Sequence, residues 1–239
     1  MKHSLPTNLF RLLPNHCSLC GEKIVNTNKS LCQACQEQLP WLGQGCLYCS
    51  IPISDVQTRA AICGHCQLSP PPFQHSYCLF RYGYPVDQLI SQLKFNQQLA
   101  IGKLLGQLMA EFICAQNRLE ALPEAIIPMP LHQRRLRQRG FNQAYEIAAI
   151  CAKKLNIPLL HGACHRVKDT PPQLGLDAKT RRRNLRNAFR IDETFECRSV
   201  AIVDDVMTTG SSMREMSREL LQAGVEYIEL WCIARTTIE

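Results

Sequence analysis

No apolar run in this chain approaches the roughly 20 residues of a membrane-spanning helix. Between Met1 and His16 the one apolar segment, Leu9 to Leu13, is short and interrupted by Arg11. It is too brief for the apolar core of an export signal, so a cytoplasmic location is the expectation. Low-complexity tracts are lacking as well. Charge of one sign is not in great excess: 27 Lys and Arg stand against 20 Asp and Glu, a formal +7. That mild surplus suits polyanions, pyrophosphate and nucleic acid alike, and does not choose between them. Apolar residues at 46% and charged residues at 20% describe a globular chain rather than a disordered one. A length of 239 residues allows one substantial core and a small extra module.

Cysteine, by contrast, is abundant and unevenly placed. Of 14 cysteines, eight form C-x-x-C pairs near the N-terminus: Cys17/Cys20, Cys32/Cys35, Cys46/Cys49 and Cys63/Cys66. Without an export signal, metal is a better reading than disulfides. Each knuckle sets two thiolates on one side of a tight turn, and two knuckles complete a tetrahedral zinc site. The spacers of 11 residues after Cys20 and 13 after Cys49 fit two consecutive ribbons, and a cross-braced pairing fits as well. About two structural zinc ions are expected, with an iron–sulfur cluster or redox-active pairs as the alternatives. So short a segment could not hold itself together without metal. His16 and His65 flank the knuckles and read as surface residues rather than ligands. Most of the other six cysteines read as small buried hydrophobes.

Pro70-Pro71-Pro72 marks the end of this module. The expected division is therefore a double ribbon over residues 1–70 and a second domain over residues 71–239. In the second domain apolar periodicity alternates between strand and helix. Strands are expected at Ser76–Tyr82, Ala125–Met129, Pro158–Leu160, Val200–Val203 and Val225–Ile233. Helices are expected from Val86 to about Phe95, around Ile101–Ile113, around Ala144–Leu155 and over residues 212–223. That order implies an α/β fold, a mainly parallel sheet with helices on both faces. Its ligands should gather at the carboxyl ends of the strands.

The most informative stretch is Val200-Ala-Ile-Val-Asp-Asp-Val-Met-Thr-Thr-Gly-Ser-Ser212. A buried strand leads to Asp204 and Asp205, then to the hydroxyl-rich turn Thr208, Thr209, Gly210, Ser211 and Ser212, then to a helix. Such a strand–turn–helix makes an anion site from free N–H groups, the helix dipole and hydroxyl donors. The two acids suit a ribose diol or a magnesium ion. Two basic loops accompany it. One holds Arg134, Arg135, Arg137 and Arg139 just after a strand, where guanidinium forks would clamp pyrophosphate. The other, Arg166 to Phe189, carries Lys179 and Arg183 and has the length and composition of a mobile lid. Lys94 is a conceivable contact near the substrate end, though it reads first as an exposed structural lysine. No residue presents itself as a general base for a nucleobase.

The Val200–Ser212 run resembles the signature of type I phosphoribosyltransferases, which bind 5-phosphoribosyl-1-pyrophosphate (PRPP). The resemblance implies that Asp204 and Asp205 meet the ribose hydroxyls, directly or through magnesium, and that residues 208–212 wrap the 5-phosphate. With the cysteine knuckles ahead of "FRYGYPVDQLISQLKF", "IIPMPLHQRRLRQRGFNQA", "RVKDTPPQLGLDAKTRRRNLRNAF" and "VAIVDDVMTTGSS", the chain resembles the ComF family and its GntX relatives. These are phosphoribosyltransferase-like competence proteins with an N-terminal double zinc ribbon. The resemblance implies a role in natural transformation or the use of external DNA, with or without transfer of phosphoribosyl to an acceptor. A non-catalytic sensor of PRPP or nucleotides, and an adaptor for single-stranded DNA or DNA-processing proteins, are the alternatives. Direct contact with single-stranded DNA is weakened by the scarcity of aromatics among the basic residues, where only Phe141 and Phe189 stand.

Overall fold

The computed structural model describes residues 15–24, 30–53, 61–116, 122–169 and 187–237. The chain divides into two compact units, Met1–Leu39 and Pro40–Glu239. The second cysteine group thus shares a unit with the sheet, whereas a boundary at 70/71 would group it with the first.

The first unit is built around a knuckle. Strands β1 (Asn15–His16) and β2 (Lys23–Ile24) pair antiparallel, and α1 (Gln33–Glu37) follows. Gly21, at φ 74°, takes the left-handed conformation that turns the chain back, and its N–H donates to Cys17 O at 2.9 Å. Cys32 caps α1, accepting the N–H of Cys35 on its sulfur.

In the second unit α2 (Gly64–Leu68) precedes β3 (His75–Arg81), α3 (Val86–Asn96) and α4 (Leu99–Ala115). Then come β4 (Ala125–Pro128), α5 (Gln133–Arg139), α6 (Gln143–Leu155), and the short antiparallel pair β5 (Cys164–Arg166) and β6 (Phe189–Ile191). Strand β7 (Ser199–Met207), α7 (Ser211–Gln222) and β8 (Tyr227–Arg235) complete it. The main sheet is parallel throughout, in the order β3-β8-β7-β4. Its central strands are nearly all buried, as expected where both faces are covered.

Helices lie on both faces. Cys78 and Cys232 are register partners, and Cys232 Sγ sits 3.8 Å from Met213 Sδ of α7. Tyr77, the next residue along β3, points the opposite way and meets Phe112 of α4 edge-on, with ring centroids 6.5 Å apart. Met213, Met216 and Leu220 of α7 join Ile127, Val200, Ile202, Ile228, Leu230 and Cys232 in one buried cluster. On the other side α4 and α6 pack closely because Gly106 has no side chain. A Cβ there would meet Ile147 O and Ile150 Cβ at 2.7 Å.

Three expectations need correction. Pro158–Leu160 is not a strand but a single parallel bridge, Ile126 with Leu159. It is held by Ile126 N–H to Pro158 O at 2.8 Å and Leu160 N–H to Ile126 O at 2.9 Å. The strand carrying the signature does not stop at Val203. It runs on to Met207 because β8 continues beside it, pairing Asp204 with Cys232 and Met207 with Arg235. The arginine-rich loop is largely helical, as α5. His132 caps its start and Gly140, at φ 81°, ends it.

Candidate functional site

The two four-cysteine groups are consecutive, not cross-braced. Cys17, Cys20, Cys32 and Cys35 form one cluster, and Cys46, Cys49, Cys63 and Cys66 the other, each with its sulfurs within 4.8 Å of one another. The Cys20–Cys32 sulfurs are 3.8 Å apart and the Cys49–Cys63 sulfurs 3.7 Å. A tetrahedron with metal–sulfur bonds of about 2.3 Å has an edge of about 3.8 Å, so both groups fit structural zinc. Backbone N–H groups point at two of these sulfurs: Cys63 N–H reaches Cys46 Sγ at 3.3 Å, and Cys35 N–H reaches Cys32 Sγ at 3.4 Å. The hydrogen bond from Cys49 holds the Cys46 thiol down to about 4, against its burial. Burial pushes Cys66 up to about 12. Four of the remaining cysteines, Cys78, Cys151, Cys164 and Cys232, are buried as expected, while Cys114 is exposed.

The anion turn lies at the carboxyl end of β7. Gly210 takes φ 70° and is the N-cap of α7, a conformation a side chain would strain. Thr209 Oγ1 and Ser211 Oγ are 2.8 Å apart, and Ser211 N–H lies 3.4 Å from Thr209 Oγ1. Hydroxyls thus lie beside the open first turn of a 12-residue helix.

The two acids differ sharply. Asp205 is nearly buried; Gln143 Nε2 of α6 donates to its Oδ1 at 3.1 Å, and Lys94 Nζ of α3 rests against its Oδ2 as an ion contact without hydrogen-bond alignment. Burial pushes this carboxyl up, but the charge and close contact of Lys94, together with hydrogen bonds from Asp204 and Gln143, outweigh it, and the net direction is down. Asp204 keeps part of its surface open. Burial, and then the charge of Asp205, push its carboxyl well above the usual carboxylate range. Asp204 Oδ1 accepts the Asp205 N–H at 2.8 Å.

Arg139 donates to Gln143 Oε1, extending the chain of contacts that reaches Asp205. Its guanidinium also lies 5.9 Å from the centroid of the Phe95 ring. Arg134 and Arg135 gather instead about Asp169, at 3.4 and 3.9 Å, with His132 at 3.8 Å from the same carboxylate. Arg137 is exposed on α5. Asn142 seats the next helix: its Oδ1 caps the Ala144 N–H at 3.0 Å and its Nδ2 donates to Met129 O at 3.0 Å, tying α6 to the end of β4. Lys179 and Arg183 lie outside the described residues.

Several participants were invisible in the sequence. Lys94 is no free surface lysine but the partner of Asp205; its position at the end of an amphipathic helix was the available signal. Gln143 and Asp169 carry no motif that announces them. Arg166 stands where burial and the nearby charge of Arg135 lower its pKa, while Asp204 and Asp169 act in the other direction. The far end of the basic loop is anchored too, with Asn187 N–H donating to Glu215 of α7 at 2.9 Å.

Comparison with known proteins agrees with the arrangement of cysteines. A family model described as a double zinc ribbon domain matches residues 9–67. Competence protein F of Haemophilus influenzae is 38% identical, covering 92% of this chain and 96% of the relative. DNA utilization protein YhgH of Escherichia coli O157:H7 is 34% identical, covering 94% of this chain and 98% of the relative. Competence protein ComFC of Bacillus subtilis is 22% identical, over 84% of this chain and 82% of that one. Among solved structures, a purine phosphoribosyltransferase from Pyrococcus horikoshii Ot3 aligns with 69% of this chain and 82% of its own at 19% identity, with a TM-score of 0.29.

Proposed function

The chain belongs to the ComF family of competence and DNA-utilisation proteins, and from that premise we propose that it binds PRPP with magnesium in the use of external DNA. The observation that carries the reading is Asp205, a nearly buried carboxylate near the carboxyl end of β7, ahead of a helix start lined by hydroxyls. A buried, partnered carboxylate is an expensive feature to maintain for structure alone.

In this reading the turn Thr208–Ser212 takes the 5-phosphate through its hydroxyls and the first N–H groups of α7. Asp204 and Asp205 face the ribose hydroxyls. Arg134, Arg135, Arg137 and Arg139 approach the pyrophosphate, Arg134 and Arg135 exchanging Asp169 for phosphate oxygens. Magnesium would be held by Asp204 and Asp205 or by the ligand they bind, and would neutralise charge on the departing pyrophosphate. Asp205 becomes available as Lys94 moves off to the developing anion. Lys179 and Arg183 belong to the loop that would close over the ligand.

If an acceptor is supplied, the bond from the anomeric carbon to pyrophosphate breaks, the electron pair leaves with pyrophosphate, and a bond forms to the acceptor nucleophile. Positioning, exclusion of water and stabilisation of the leaving charge would drive this step. A PRPP sensor needs the same cradle without the acceptor. Isothermal titration of PRPP with magnesium, comparing wild type with Asp205→Asn, tests the site: wild type binds and the variant loses at least about tenfold. No detectable wild-type binding overturns the reading.

Exposed Phe95, at 73%, under Arg139 favours a second reading, contact with single-stranded DNA, since an open ring beside a cation is a stacking platform. Retention on single-stranded DNA at about 50 mM salt, lost as salt rises, is its signature. No retention at that salt excludes direct contact.

A further inference from the structure

Arg235 closes β8 and is almost fully buried, at 4% exposure. A guanidinium in that setting needs acceptors for its five N–H donors. The acceptors are backbone carbonyls from separate parts of the fold. Nε donates to Cys49 O at 2.8 Å, and Nη1 donates to Met207 O at 3.2 Å, to Thr208 O and to Thr236 O at 2.6 Å. Cys49 closes a knuckle of the second four-cysteine group. Met207 and Thr208 open the anion turn. One side chain therefore joins the metal-site backbone to the turn's backbone.

The knuckle end of this link is itself fixed. Ser76 N–H donates to Leu47 O at 3.0 Å, and Ser50 Oγ donates to Ser76 O at 2.8 Å, stitching Cys46–Ser50 to β3. The carbonyl of Cys49 and its sulfur share one Cα, so a metal that holds the sulfur also restricts where the carbonyl points. At the turn end, peptide planarity transmits the contact. In a trans peptide the C=O and the next N–H point opposite ways. Carbonyls of Met207 and Thr208 drawn toward Arg235 therefore turn the N–H groups of Thr208 and Thr209 away from it.

We propose that Arg235 is a positioning residue that makes the geometry of the anion turn depend on metal in the second four-cysteine site. With metal bound, the Cys49 carbonyl holds the guanidinium, and the guanidinium holds the turn in its anion-receiving form. Loss of that metal frees the carbonyl, and the turn loosens while the sheet stays intact. The consequence for ligand affinity rests on the reading of Thr208–Ser212 as the 5-phosphate site; the coupling itself does not.

Hydrogen exchange by mass spectrometry on the full chain tests it, with wild type, Cys63→Ser, Arg235→Lys and the double variant, zinc content being measured in each. Lysine keeps the charge but has no planar fork to span several carbonyls. The amides of residues 208–213 should exchange about tenfold faster in each single variant, and no faster in the double. Those of Val200–Val203 and Leu230–Ile233 should keep wild-type rates. PRPP with magnesium should bind about tenfold more weakly in both single variants by calorimetry. Unchanged exchange at 208–213, equal acceleration in the strands, or additive effects in the double variant would each overturn the proposal. If Cys63→Ser does not fold, Arg235→Lys alone decides on the same two sets of amides. A wild type that shows the exchange pattern but binds no PRPP keeps the coupling and removes the phosphate reading.

Discussion

Lys94 Nζ lies against Asp205 Oδ2, bringing the end of α3 to a carboxylate inside the sheet. The lysine is 23% exposed at its side chain and the aspartate 5%, so the pair sits at the boundary between solvent and core. Lysine here occupies the place of a cation beside the site, which explains how a buried acid is tolerated without ligand.

Replacing Lys94 by Met leaves that acid with Gln143 as its remaining described partner. Stability at pH 7.5 should fall by about 1–3 kcal/mol, the lower range for a partly exposed partner. Because the Asp205 carboxyl is held below its unfolded value, this contribution is fully present above about pH 4 and is lost as pH falls through the folded value. Urea denaturation at pH 7.5 and below pH 4 should show the gap between wild type and variant closing in acid. A constant gap contradicts the ion contact.

Asp204 has the opposite sign. Its carboxyl is raised by burial and by Asp205, so folding is penalised once pH rises above the unfolded value near 4, and the penalty grows until the folded value is passed. Each pKa unit of displacement corresponds to about 1.4 kcal/mol. Asp204→Asn should therefore raise the melting temperature at pH 7.5, with the gain vanishing toward pH 4, while PRPP and magnesium no longer stabilise the variant. A gain that does not depend on pH contradicts the assignment.

Gly210→Ala tests the turn. A non-glycine residue at φ 70° is strained by about 1–2 kcal/mol, and its Cβ meets only the Met207 side chain, Sδ at 3.7 Å and Cγ at 3.9 Å, so strain rather than collision sets the effect. The variant should fold with a loss of that size in chemical denaturation and bind PRPP more weakly. Wild-type affinity would show that the turn does not need this backbone.

Elemental analysis should find about two zinc ions per chain, one for each group of four sulfurs. Cys63→Ser should lower the content by one. A wild-type content of one or none contradicts the geometry of the two clusters.

The double ribbon and the strand–turn–helix were legible in the chain because both are local: a knuckle needs only its own few residues, and an anion turn only a strand, a glycine and a helix start. The alternation of strands and helices gave the parallel sheet for the same reason, since periodicity reflects which faces are covered. Four-cysteine pairing, by contrast, compares distances between knuckles, and spacing permits two answers. The extension of β7 to Met207 depends on β8 lying beside it. Arginines read as a loop became helix α5 once His132 and Gly140 supplied its caps.

Val200–Ser212 shows from its residues alone a buried strand, two acids, a hydroxyl-rich glycine turn and a helix start, in that order. What neighbours each acid and what the turn's carbonyls meet appear only when Lys94, Gln143 and Arg235 are brought in from distant parts of the chain. Charge and burial act through space, and a linear pattern contains neither the distance from Lys94 to Asp205 nor the one from Arg235 to Cys49.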